Sequence, residues 1–439
     1  MMNFTASDRL CSRQAHFSRR TLLGAGASGM FLSQLAHSLA MADELGVTDP
    51  SRPLSVILLW LEGGPSQLET FDPHPGTAIG GDSKAIKTSA AGIQIADTLP
   101  RLAEQMHLAS LVRSVTGKEG DHQRAVYNVK TGFRPDPTLI HPSIGAVLCE
   151  TDPSDSDIPR HISILPGRSP SRGGYLGGAY DAFKIGDPAG PVPDIRRSVK
   201  QDRYDKRIDD LYNVVEKEFR RGRIAELEKK RTLHVTATDA ALRMMSSEQL
   251  SAFDVSKESQ ATLAAFGDTP FGRGCLAASR LIEAGARCVE VTLGGWDSHV
   301  NNHSLQSSAC ESLDPAIASL LVRLQDHDLL ENTLVVCGGE FGRTPTINPA
   351  GGRDHWPHGF STLLAGCGIR GGQVFGETSP NPKLDSKNPT RDVADATTVA
   401  DLHATILAAL GVPFAEEVYT PIGRPMKRSE GTPIRSLLS

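Results

Sequence analysis

Paired cysteines are missing. The 439-residue chain has seven cysteines, and no two stand in a C-x-x-C arrangement. That argues against a cysteine zinc site. Most lie in apolar stretches and read as small buried hydrophobes, although an oxidising compartment would permit a disulfide or two. Also missing is an apolar run of the roughly 20 residues that a membrane-spanning helix needs. There is no excess of basic charge. Lys and Arg number 46 against 51 Asp and Glu, a net charge of −5, which argues against general nucleic-acid binding. No internal repeat and no low-complexity tract is visible. With 22% charged and 39% hydrophobic residues, disorder of the whole chain is excluded. The length suits one large domain or two ordinary ones. Loop residues are abundant, with 42 Gly and 28 Pro, and loops on a rigid scaffold often carry function.

Residues 1–42 read as a targeting segment outside the fold. Ser18-Arg19-Arg20-Thr21 holds a twin arginine, and Ala40-Met41-Ala42 offers a small-x-small cleavage site. Between them a weakly apolar stretch, Leu22 to Leu39, is broken by Ser28, Ser33, Gln34 and His37. The pattern resembles a Tat signal; a Sec signal or a short amphipathic start is the plainer alternative. The Tat machinery exports folded proteins, which suits a chain that loads a metal before leaving. Cleavage would remove Asp8 and four arginines and take the net charge from −5 to −8. The remaining chain, 43–439, would then be periplasmic or otherwise exported.

Three apolar runs end alike. Ser55–Leu61 leads into Glu62-Gly63-Gly64, Arg287–Leu293 into Gly294-Gly295-Trp296-Asp297, and Thr333–Cys337 into Gly338-Gly339-Glu340. Continuous apolar runs fit strands buried on both faces of a parallel sheet. His161–Leu165 and Phe360–Ala365 are weaker strand candidates. Helical patterns cover Pro100–Met106, Phe271–Ala284, Asp314–Leu330 and Val399–Leu410. The alternation predicts an α/β domain with a mainly parallel, doubly wound sheet and helices on both faces. From about 151 to 260 the texture changes. An acidic Ser-rich loop and a Gly/Pro-rich stretch precede a charged helical pattern with pairs such as Glu216/Arg220. This region reads as an inserted cap.

Ligands of parallel sheets bind beyond the carboxyl ends of the strands. Glu62, Asp297 and Glu340 are therefore expected on one edge. Converging carboxylates repel unless a cation or a shared proton compensates. Histidines stand close by: His299 and His303 follow Asp297, and Gly352-Arg353-Asp354-His355-Trp356-Pro357-His358 forms a short loop. Carboxylate plus imidazole suits zinc, manganese or iron, whereas carboxylate alone suits calcium or magnesium. Arg343 and Arg353 could hold an anionic group or form salt bridges with nearby acids. Ser66 and Thr70 read equally as helix caps and as nucleophiles, and Asp72 as a turn residue.

The stretches LLWLEGGPSQLETFDPHP, GGWDSHVNNH, VVCGGEFGRTP, GRDHWPHG and GRPMKRSEGTPIRSLL resemble an exported bacterial family labelled domain of unknown function 1501. Its members are described as sulfatase-like and placed in the alkaline phosphatase superfamily. The resemblance covers nearly the whole chain after residue 42. It implies a doubly wound α/β fold with metals at the carboxyl edge, and hydrolysis of phosphate or sulfate esters. Position by position it implies metal ligands at Glu62, Asp297, His299, Glu340 and His355, with His358 as second choice for the last. Relatives carry His or Asn after the third strand acid, where this chain has Phe341. Sulfatases place a Cys-x-Pro-x-Arg segment ahead of a Thr-Gly. Here the frame runs to Asp121-His122-Gln123-Arg124 and then Thr131-Gly132, with no Cys, Ser or Thr at the nucleophile place. His122 would then be a base, a ligand or an unusual nucleophile, and Arg343 would steady the anion.

The expected activity is a metal-dependent ester hydrolase lacking the formylglycine motif. Its cofactor would be a divalent ion, zinc first and manganese or calcium next. Its partners would be a small-molecule or glycan ester and the Tat export machinery. The rival reading is a non-catalytic protein that binds sulfated or phosphorylated glycans on the same scaffold.

Overall fold

The computed structural model describes residues 53–152, 156–192, 195, 199–215, 241–385 and 387–439. The signal read in residues 1–42 lies outside the described residues, as does the Glu216/Arg220 pair.

Nine strands form the central sheet. In chain order they are β1 (Ser55–Leu61), β2 (Ala109–Thr116), β3 (His161–Ile164), β4 (Phe183–Ile185), β5 (Cys288–Leu293), β6 (Thr333–Gly338), β7 (Phe360–Ala365), β8 (Val374–Phe375) and β9 (Thr397–Thr398). The spatial order is β8-β2-β7-β6-β1-β5-β3-β4, with β9 beside β2. The sheet is mixed and mostly parallel. Strand β7 runs antiparallel to both β2 and β6; the other pairings are parallel.

Why β1 is central follows from its sequence. SVILLWL has no charge, and every residue of it is buried. Successive side chains point to opposite faces. Ile57, Leu59 and Leu61 enter one core with helices α1 (Pro100–Gln105), α4 (Pro270–Glu283) and α5 (Asn302–Asp326). Val56, Leu58 and Trp60 enter the other with α2 (His122–Thr131), α3 (Ile144–Thr151) and α6 (Val399–Ala409). Helices therefore cover both faces. Among the described residues no helix is long and apolar enough to cross a membrane. The six cysteines from Cys149 to Cys367 are buried and free.

Some expectations need correction. Within the region that begins at 151, the strand candidate at His161 is present as β3, which pairs with β5, and β4 pairs with β3. Strand β2 escaped the sequence reading because Ser110, Arg113 and Ser114 interrupt its apolar character. Helix α5 starts at Asn302, well before Asp314, and Pro315 lies in its interior, where it removes one backbone hydrogen bond. Asp72 is more than a turn residue. It is buried, accepts from Thr378 N at 2.7 Å, and lies 3.6 Å from Arg113.

Two consequences position the site. Strands β5, β1 and β6 are parallel neighbours, so their three glycine-rich ends share one edge. Because β7 is antiparallel, its start rather than its end meets that edge. It thereby delivers the loop 353–359.

Candidate metal centre

The turn after β1 depends on glycine. Gly63 has φ +120°, and a Cβ there would stand 2.6 Å from Asp297 N. That conformation and closeness exclude any other residue without a shift. Gly63 N donates to Glu340 Oε1 at 2.8 Å and Trp296 N to the Glu62 carbonyl at 3.4 Å, so the three strand ends are stitched together.

Asp297 is the hub, with its side chain half exposed. Its Oδ1 lies 3.2 Å from His299 Nε2 and 3.3 Å from His355 Nε2. Its Oδ2 lies 3.4 Å from His122 Nε2. Each imidazole is held from behind. His355 Nδ1 donates to the Gly120 carbonyl at 2.8 Å, His299 Nδ1 bonds Asp354 Oδ1 at 2.9 Å, and His122 Nδ1 bonds Glu340 Oε1 at 2.9 Å. A proton on Nδ1 leaves the lone pair on Nε2 in neutral imidazole. With both rings in that tautomer, the Nε2 atoms of His299 and His355, 3.0 Å apart, turn lone pairs toward each other and toward a carboxylate. Such a donor set suits a cation. Ligands at about 2.0–2.1 Å from a tetrahedral zinc stand about 3.3 Å from one another, close to the spacings found.

Two overlapping sets share Asp297 and His355. His299 completes the tighter one. His122 completes a wider one, whose ligand atoms all lie within 4.8 Å of one another. A further observation favours a cation nearby: Glu340 Oε2 is buried and has no hydrogen-bond partner among the described residues.

Electrostatics agree with the geometry. Burial pushes the Asp297 carboxyl up, but the Arg343 guanidinium and His355 outweigh it and hold it at about 2. Its hydrogen bond to Glu340 raises the pKa of His122 against burial, although His122 is the first residue of α2, where the helix dipole disfavours positive charge. Burial lowers His355, which keeps it neutral and ready to ligate.

The structure does not gather all the residues expected. Asp297, His299 and His355 converge, and His122 joins them. Glu340 stands one step back, behind His122. Glu62 lines the same cleft, of about 340 Å³, together with Arg168 and Leu305. Its Oε1 accepts from Arg168 N at 2.8 Å, and it stands outside both donor sets. His358 is half-buried beside Gly117, and His303 sits on α5, outside both sets too. Arg343 forms the salt bridge that stood as its alternative role, with Asp297. It is wholly buried and donates to the carbonyls of Gly63, Gly64, Trp296 and Arg353, and to Asp297 Oδ1 at 2.7 Å. It fixes the loops that carry Asp297. Arg353 is likewise buried and paired with Glu69 at 3.0 Å. Ser66 and Thr70 are buried; the Ser66 hydroxyl bonds Glu69 and that of Thr70 bonds the Ser66 carbonyl.

Sequence reasoning missed the supports. Asp354, in the GRDHWPH loop, holds the His299 ring from behind. Gln67 bonds both backbone groups of Arg343 through its side-chain amide, each at 2.9 Å. Gln306 ties Ser66 N to the Trp296 carbonyl. No local pattern marks such residues.

Residues 54–438 match the family described as "Protein of unknown function (DUF1501)". The chain belongs to that family. No curated protein matches it in sequence. Solved structures similar to this member of the family include the PsFucS1 sulfatase from Pseudoalteromonas sp., with 12% identity, 87% of this chain and 72% of the other covered, and TM-score 0.38. Another is a protein in the alkaline phosphatase superfamily from Vibrio parahaemolyticus, with 14% identity, coverage of 86% and 74%, and TM-score 0.35. A third is the C-terminal periplasmic domain of EcEptC from Escherichia coli in complex with Zn, with 10% identity, coverage of 83% and 84%, and TM-score 0.38. Scores in this range assign no reaction.

Proposed function

We propose that this protein is a divalent-metal-dependent hydrolase of phosphate or sulfate esters, exported through the Tat pathway to the periplasm or beyond. The observation that carries the reading is the meeting of His299, His355 and Asp297 with their Nε2 and Oδ1 atoms 3.0–3.3 Å apart. These three would hold the ion. When bound, a divalent ion supplies Lewis acidity to a tetrahedral ester. Asp354 and Gly120 fix the two ligand rings from behind, a support that in metal sites raises affinity and sets the tautomer. His122 keeps its Nδ1 proton on Glu340 and presents Nε2 to the cleft, where it accepts a proton from water or serves as a further ligand. Arg343 holds the Asp297 loop in place and does not meet the substrate. A dedicated side-chain nucleophile is not needed if water is activated at this edge.

The twin arginine at Arg19-Arg20 supports export. A second reading rests on Phe341. It is buried against His355, with ring centroids 4.3 Å apart, at the position where the family resemblance implies His or Asn. On that reading the scaffold binds anionic esters without turnover. The test is elemental analysis of the purified protein, followed by assays of aryl phosphates, phosphodiesters and aryl sulfates with added Zn²⁺, Mn²⁺ or Ca²⁺. Metal-dependent turnover that His355→Ala abolishes supports the hydrolase. Metal binding without turnover on any ester supports the second reading. Folded protein that takes up no metal overturns the hydrolase, and folded protein that binds none of these esters overturns the second reading.

A further inference from the structure

The cleft at the metal centre has an unbalanced wall. Three acids line it, Glu62, Asp297 and Glu340, against a single arginine, Arg168. Two of the three are answered from within the protein. Asp297 meets the buried Arg343 at 2.7 Å, and Glu340 Oε1 bonds His122 Nδ1 at 2.9 Å. Glu62 is answered by one backbone N–H, that of Arg168 at 2.8 Å, and among the described residues it forms no ion pair. The exposed Arg168 guanidinium forms none either. Glu340 Oε2, buried in the same wall, has no hydrogen-bond partner among the described residues. The cleft therefore holds more negative charge than its own cations meet.

The Glu62 carboxylate is fixed in place. Glu62 N donates to the Leu293 carbonyl at 2.9 Å, and the Glu62 carbonyl accepts from Trp296 N at 3.4 Å, so its backbone is tied to the end of β5. Gly167 packs directly on its side chain. A Cβ there would stand 2.4 Å from Glu62 Oε1 and 2.8 Å from Oε2, so any other residue would push the carboxylate away. The loop behind is anchored in turn. Lys130 Nζ, buried and 2.7 Å from Glu290 Oε2, donates to the Ser169 carbonyl at 2.8 Å. A recognition group locked by its supports binds with little ordering cost. The opposite rim of the cleft is open: a Cβ at Gly294 or Gly295 would meet nothing within 4 Å.

The chemistry of the wall selects the kind of cation. Among the described residues Glu62 belongs to no group of three His, Cys, Asp or Glu side chains close enough to hold a metal ion. A quaternary ammonium is recognised by aromatic faces, and the only ring lining this cleft is that of His122. A primary ammonium has three donors and no acceptor. It suits one carboxylate with neutral polar groups beside it, and Gln123 and Ser169 supply those. We infer that the alcohol part of the ester substrate carries a primary ammonium group, and that Glu62 recognises it. The inference rests on the reading of the centre as an ester-hydrolysing site and meets a difficulty of that reading. An anionic ester entering the cleft is repelled by an uncompensated carboxylate, and a positive charge on its own alcohol part turns that repulsion into attraction.

The test uses the full chain with added Zn²⁺ and non-hydrolysable analogues matched in length. These are 4-aminobutylphosphonate against pentylphosphonate, and 4-aminobutanesulfonate against pentanesulfonate. Affinities are measured by calorimetry for the natural chain, Glu62→Gln and Arg168→Ala. In the series whose acid group the centre accepts, the ammonium analogue is expected to bind about tenfold tighter than its alkyl partner, and high salt should shrink that preference. Glu62→Gln keeps an oxygen for Arg168 N but loses the charge. It should bring the ratio to about one while zinc affinity stays within a few-fold. Arg168→Ala should leave the ratio unchanged or raise it. No preference in either series, a preference that survives Glu62→Gln, or loss of bound zinc in Glu62→Gln overturns the inference. Turnover of 3-aminopropyl and butyl esters separates it from the reading it rests on. Equal turnover of both, with no binding preference, leaves the hydrolase and sinks the ammonium site. A preference that depends on Glu62, without turnover of any ester, sinks the hydrolase and keeps the site.

Discussion

Replacing Asp297 with Asn separates a metal centre from a mere hydrogen-bonded cluster. The change keeps the shape and one oxygen for Arg343 but removes the charge shared by three imidazoles. Without metal the cost is small. Asp297 lies half exposed, so its ion pair with Arg343 is screened and worth about 1 kcal/mol. Arg343 also keeps its four carbonyl partners. With metal the difference is large. An ion that binds only the folded state, at a hundred times its Kd, stabilises by about 2.7 kcal/mol. Asp297 is the one carboxylate in both donor sets, and its loss should lower affinity about a hundredfold. At the same free zinc the gain then falls to about 0.4 kcal/mol. The assay is denaturant unfolding of both proteins with and without Zn²⁺, with Kd measured independently. The reasoning fails if zinc, manganese and calcium all leave the natural chain unchanged, or if Asp297→Asn gains as much as the parent. Acid titration provides a second check. The Asp297 carboxyl is held at about 2, so its contribution is present above the unfolded value of about 3.9 and lost as pH falls toward 2. The variant should lack that step.

Three further outcomes follow from buried contacts. Glu290→Leu leaves the Lys130 ammonium buried without its partner and should cost about 3–5 kcal/mol in urea unfolding; adding Lys130→Met should restore most of it. Burial holds His403 at about 4, and neither ring nitrogen has a hydrogen-bond partner among the described residues. The unfolded chain therefore binds this proton more tightly, so stability is full above about pH 6.5 and drops by about 3 kcal/mol as pH falls to 4. His403→Leu should flatten that slope, and an unchanged slope would refute the assignment. Gly352→Ala would place a Cβ 1.8 Å from the His299 carbonyl, so the His299 loop must shift. Zinc affinity should fall at least tenfold, whereas Gly186→Ala, whose Cβ would meet nothing within 4 Å, should leave it unchanged.

The sequence alone determined the middle of this fold. Strands β1 and β6 are apolar on both faces, and β5 is so apart from Glu290 and Thr292, because helices cover both faces, and such runs are legible without any knowledge of neighbours. Their endings in glycine and an acid marked the functional edge for the same reason: backbone that turns sharply beside a strand end needs glycine. Strand β2 was hidden because burial by tertiary neighbours, not composition, makes Arg113 and two serines acceptable inside a sheet.

Only the tertiary structure decided which acids and imidazoles meet. Glu62 and Glu340 end their strands as Asp297 does, yet Glu62 turns to Arg168 N and Glu340 to His122. A motif carries residue types but no directions. The reversal of β7 brings His355 to the edge, and no local pattern distinguishes an antiparallel strand from a parallel one when both are buried. Arg343 could be read from the sequence as an anion anchor or as a salt-bridge partner, because most of its partners are carbonyls of loops far away in sequence. Charge is written in the chain, but whether a charge faces solvent, a ligand or five oxygens of its own protein depends on packing between distant segments.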